Sequence, residues 1–163
     1  MMLRLVALAA LASCRVSAGP AISAGSVGVP GTETGVGGSI DVEVRHRSGF
    51  AGAVTADMSG YVTAGDGDGI LWSELQGRYR LPLYDDARYH VFATGGLGVG
   101  YTWCCYIDDK VLSAFFEVAA ERGFGRFRIG AALRERPAYF IGGGNPFGEM
   151  HNTLSVALTF GID

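Results

Sequence analysis

A serine close to a histidine can supply a nucleophile and its base, and His46-Arg47-Ser48 offers such a pair. The pair lies beside a short turn, however, and no further group of a catalytic arrangement is assigned to it. Cys104 and Cys105 are adjacent. Their Cα atoms sit about 3.8 Å apart, below the usual disulfide range of about 4.4–6.8 Å, so the two read as small residues at a strand end. His46, His90 and His151 stand apart, and no second ligand follows any of them at metal spacing. Asp66 and Asp68 in AGDGDGI could attract a divalent cation, but the remaining ligands of a calcium site are missing. The stretches GDGDG and GGLGVG open no helix, as a phosphate loop would. The expectation is no catalytic, metal or cofactor site.

Charge is the chemistry that the chain concentrates. In GSIDVEVRHRSG (Gly38 to Gly49), Ile40, Val42 and Val44 alternate with Asp41, Glu43, Arg45 and Arg47. A period of two puts the apolar set on one face of a strand and the charges on the other. Either the charges meet water around a soluble sheet, or they point into a closed lumen whose outer wall meets lipid.

Similar segments recur, each followed by turn residues: AISAGSVGVP, GSIDVEVRHR, FAGAVTADMSGYV, ILWSELQGRYRL, RYHVFATGGLGVGYTW, KVLSAFFEVAAER, RFRIGAALRERP and NTLSVALTFGI. Links after the second, fourth and sixth are short, and those after the first, third, fifth and seventh are longer. That pattern predicts an all-β fold, a single eight-stranded antiparallel up-and-down barrel with its longer loops at one end.

Parity assigns Asp41, Glu43, Arg45, Arg47, Asp57, Glu74, Arg78, Arg80, Glu117, Glu121, Arg128, Arg134 and Arg136 to the charged face. On the fifth strand that face runs through Gly96, Gly98 and Gly100, as if to leave room for Trp72, Phe115 and arginines in a narrow lumen. Lys110 apart, the basic residues are arginines, whose planar fork suits enclosed carboxylates. The apolar face sorts its aromatics by height: Phe50, Tyr79, Tyr89, Phe127 and Phe160 near the short turns, Tyr101 and Trp103 near the loops. Two such girdles flank the apolar band of a membrane barrel.

The N-terminus carries Arg4, then an apolar run from Leu5 to Leu11, then small residues, which reads as an export signal too short to span a membrane. Two processing routes fit. Val16-Ser17-Ala18 suits ordinary cleavage, dividing the chain into a signal (1–18) and a barrel domain (19–163); Leu11 to Cys14 resembles a lipobox, which would make Cys14 an acylated first residue. The formal charge of −3 offers no basic surface for nucleic acid.

With export signal, alternating strands, one-sided loops and the terminal LSVALTFGI, the chain resembles the small eight-stranded outer-membrane barrels of the OmpA/OmpX type and, less closely, the lipid A deacylase type. It departs at its end, where Phe160 is followed by Gly161, Ile162 and Asp163 rather than closing on an aromatic. The resemblance implies the outer membrane of a Gram-negative bacterium, with lipid and the barrel-assembly machinery as partners, and a monomer. In the deacylase type a His-x-Ser-Asn run near the loop end of the seventh strand precedes an Asn/Pro/Gly turn and an acid. Here NPFGEMH (Asn145 to His151) is similar to that turn, with Glu149 as the acid, but Arg136 and Ala138 stand where the His and Ser belong. Three functions remain open: a non-enzymatic surface barrel, an exported lipocalin-like barrel for an apolar ligand, and a deacylase-like enzyme.

Overall fold

The computed structural model describes residues 12–25, 33–46, 48–62, 67–104, 108–141 and 150–162. The strands are β1 (Ala12–Gly25), β2 (Glu33–His46), β3 (Phe50–Val62), β4 (Gly67–Asp85), β5 (Tyr89–Cys104), β6 (Asp108–Phe124), β7 (Phe127–Ile141) and β8 (Met150–Ile162). Each pairs antiparallel with the next, and β8 pairs with β1 to close an up-and-down barrel. Closure leaves no unpaired edge.

Alternation decides the two surfaces. Along β6, Val111, Ser113, Phe115, Glu117, Ala119 and Glu121 are buried, whereas Leu112, Phe116 and Val118 between them are exposed. The outer wall continues through Val42, Leu75, Leu97, Leu133 and Val156, with Leu97 67% exposed. So the large aliphatic residues face outward, while the enclosed side chains are mostly charged, hydroxylic or aromatic.

The connections at one end are tight. Gly125 has a φ of 67° and begins the two-residue link across the Phe124–Phe127 pair, a backbone region that suits glycine. Gly49, with a φ of 92°, is the last residue of the link between β2 and β3, its amide donating to the His46 carbonyl at 3.0 Å. Asp86 organises the β4–β5 turn by accepting from the amides of Arg88 and Tyr89, both at 2.6 Å, and from the Tyr84 hydroxyl at 2.8 Å.

Strand extents differ from expectation, chiefly in β1. The sequence suggests a first strand over 21–30, but β1 runs from Ala12 to Gly25 and so takes in residues on the signal side of position 18. Its pairing begins with Ala12 opposite His46 and ends with Gly25 opposite Glu33. The cause is an alternation masked by small residues: Arg15 and Ser23 are buried, while Val16 and Ile22 are exposed. Strand β7 also runs past Pro137 to Ile141, because Phe140 turns inward onto Trp72 at 5.6 Å between ring centroids.

Candidate functional site

The site is the lumen, and its centre is Glu43, 1% exposed. Three guanidinium groups converge on it. Arg45 donates through Nε at 2.8 Å, Arg78 through Nη1 at 3.2 Å, and Arg80 lies 3.5 Å away. Arg78 also pairs with Asp41 and donates to Gln76 Oε1 at 2.9 and 2.7 Å. Gln76 in turn donates to Glu74 at 2.5 Å, and Arg136 bridges Glu74, at 3.8 Å, to Asp57. A chain of charge-assisted contacts thus crosses from β2 through β4 to β7 and β3. Arg134 grips Glu117 through Nε and Nη2 at 2.9 and 2.6 Å, and Arg15 grips Glu121 with both terminal nitrogens. Such forked contacts are stronger than neutral hydrogen bonds and hold fixed geometry.

Aromatic rings separate the charges. Phe115, 1% exposed, lies between Arg78 at 5.2 Å and Arg134 at 6.0 Å; Arg80 lies over Phe92 at 3.8 Å and Arg136 over Trp72 at 4.9 Å. Room for this bulk comes from β5. A Cβ on Gly96 would lie 2.6 Å from the Phe115 ring, and one on Gly98 would lie 2.7 Å from Ser113 Oγ and 3.1 Å from Gln76. The space there serves Phe115, Gln76 and Glu74, while Trp72 packs instead against Phe140.

The wall of β1 and β8 carries small residues, Ser17, Ala21, Ser23, Ser155, Ala157 and Thr159, facing Arg134, Arg136 and Asp57 across a cavity of about 70 Å³. Ser23 Oγ, Thr153 Oγ1 and Thr159 Oγ1 find no protein partner. A polar cavity of that size accommodates about two waters.

The structure therefore places Asp41, Glu43, Arg45, Asp57, Glu74, Arg78, Arg80, Glu117, Arg134 and Arg136 in one enclosed interior, with Arg128 half-buried towards its short-turn mouth. Arg15 is a charged lumen residue that sequence reasoning missed, because it falls inside the signal-like segment; the signal that could have found it is its alternation with Cys14 and Val16. Outside, Phe50 stacks near Tyr79 and Tyr101 near Trp103, each pair at 4.9 Å, with Tyr89, Phe127 and Phe160 also outward. Cys14 is exposed on the outer wall of β1, within a strand. His46 Nδ1 lies 2.8 Å from Ser48 Oγ and accepts from the Ser48 amide, which makes the pair part of its turn. His90 pairs with Asp85. Arg47, Asp66, Cys105 and Glu149 lie outside the described residues, as do the side chains of Asp68, Cys104 and His151.

No protein-family model and no curated protein matches the chain. Solved structures do. Neisserial surface protein A, NspA, aligns with a TM-score of 0.71 at 12% identity, covering 93% of this chain and 97% of that one. This chain has the fold of the small eight-stranded outer-membrane barrels. Ail, the attachment invasion locus protein of Yersinia pestis, aligns at 0.52 with 10% identity over 91% and 96% of the two chains. OprG of Pseudomonas aeruginosa gives 0.51 and 13% over 91% and 94%. Within this small-barrel fold, Arg136 and Ala138 both point into the lumen and are buried. The two positions that the sequence comparison sets against a deacylase His and Ser thus face the ionic interior.

Proposed function

We propose that the chain is a non-enzymatic outer-membrane barrel whose wall anchors it in lipid and whose loop end is a contact surface. The observation that carries this is the inversion of the usual polarity: exposed Leu, Val, Ile and Phe ring the outside, while arginine–carboxylate pairs fill the inside. In water such a wall would be an apolar patch far larger than soluble monomers carry. In hydrocarbon it is the stable arrangement, since closure pairs each described strand with a neighbour on both sides and leaves no sheet edge to lipid. The filled ionic lumen also gives a lipocalin-like calyx no apolar site among the described residues. NspA and Ail are named as a surface protein and an attachment protein, which agrees with a contact role for the loop end. Leu5 to Leu11 serves export. Fractionation tests the whole reading: the protein should require detergent for extraction and should migrate faster on SDS gels before boiling than after. Recovery from the soluble periplasm would sink it.

A further inference from the structure

One corner of the outer wall breaks its apolar rule. At the short-turn end of β6, Arg122 is exposed on the outward face, its guanidinium 5.6 Å from the Tyr89 ring and 5.0 Å from the Phe124 ring. Two further arginines stand beside it: Arg126, exposed in the β6–β7 turn, and Arg88, whose carbonyl accepts from the Gly123 amide at 2.7 Å. The acids of this corner are engaged elsewhere. Asp85 holds His90, Asp86 caps its own turn, and Glu121 faces the lumen with Arg15. No described carboxylate lies within ion-pair distance of Arg122 or Arg126.

Beside these cations a trough of about 580 Å³ runs over β7, β8 and β1, walled by Phe124, Phe127, Ile129, Phe160, Ile162 and Val16. A guanidinium with no carboxylate partner among the described residues, at the edge of a hydrocarbon wall, calls for an anion at headgroup height. Aromatic faces on two sides hold it there, and a phosphate accepts its fork.

Resting on the membrane reading above, we propose that this corner binds one anionic glycerophospholipid of the leaflet at the short-turn end. Its phosphate is held by Arg122 and Arg126, and one acyl chain lies in the trough.

The test uses the full chain folded in detergent, with phosphatidylglycerol or phosphatidylcholine added and lipid retention read by native mass spectrometry. The unaltered protein should retain phosphatidylglycerol in preference, and Arg122→Gln/Arg126→Gln should reduce that retention about tenfold, the loss of roughly one charge-assisted hydrogen bond. Lys110→Gln, at the other end of β6, should leave it unchanged. A preference that survives the double variant, or falls equally with Lys110→Gln, overturns the proposal. The heat-dependent gel shift separates the two levels: a shifted, folded barrel with no lipid preference defeats the lipid site alone, whereas absence of the shift in the unaltered protein defeats the membrane reading.

Discussion

Glu43 is where a single side chain matters most, because three guanidinium groups depend on it. Removing one member of a buried ionic group leaves the others uncompensated, at a cost of about 3–5 kcal/mol. Glu43→Gln should therefore destabilise the barrel by about that much in urea unfolding from lipid vesicles. Glu117→Gln should cost less, since its geometry involves Arg134 chiefly and the amide keeps shape and one acceptor. Asp86 makes a smaller, pH-dependent statement outside the wall. The amides of Arg88 and Tyr89 and the Tyr84 hydroxyl hold its carboxyl below the usual range. A depressed folded value means its contribution to the turn is complete above the ordinary aspartate value of about 3.9 and is lost as pH falls through the folded one. A carboxyl carbon titration of Asp86 by NMR should show a midpoint below about 3.9; a midpoint at or above it would remove the capping role. Which residues share a face can be read from alternation along one strand. Which acid meets which arginine cannot, because Arg136 and Asp57 are 79 positions apart and meet only through register and closure.

Among the elements, β1 was the least legible. Its small residues have weak strand propensity, and the apolar run before it looks like an export signal, so its first half was hidden. The structure makes that half a working part of the wall: Val16 pairs with both Val42 and Ile162, and Ala18 with Ile40 and Phe160. A chain beginning at Gly19 would keep only the later half of β1 and leave Glu121 buried without Arg15. Refolded in detergent, a chain beginning at Cys14 should give the heat-dependent gel shift and one beginning at Gly19 should not; equal shifts would show that closure does not need residues 14–18. The glycine run of β5 was legible as missing bulk, though not which neighbours fill the space. Gly98→Ala would drive a Cβ to 2.7 Å from Ser113 Oγ, and overpacking of this kind costs about 1–3 kcal/mol. Gly77→Ala meets nothing within 4 Å and should be neutral or slightly stabilising, as the alanine restricts the unfolded chain. The unfolding midpoint should fall below that of the unaltered protein for Gly98→Ala and stay at or above it for Gly77→Ala.

Across the whole molecule the wall and the lumen impose opposite demands on neighbouring positions. Ser155 and Val156 are adjacent on β8, yet Ser155 lines the polar cavity while Val156 is 57% exposed on the outer wall. Binary patterning conveys this division well, because a closed sheet turns each parity into one compartment. It does not say whether the outer compartment is water or hydrocarbon, since an exposed valine has the same geometry in both. One substitution answers that. In hydrocarbon, Arg near the midplane of a barrel wall costs about 2–4 kcal/mol, whereas a surface change in water is usually within about 0.5 kcal/mol. Val156→Arg should lower the unfolding free energy in lipid vesicles by the larger amount, with Ser155→Ala as the comparison. That companion removes only a hydroxyl 3.5 Å from the Arg134 carbonyl and should cost well under about 1 kcal/mol. A silent Val156→Arg in vesicles would place the outer wall in water, and the inverted polarity on which the membrane assignment rests would need another cause.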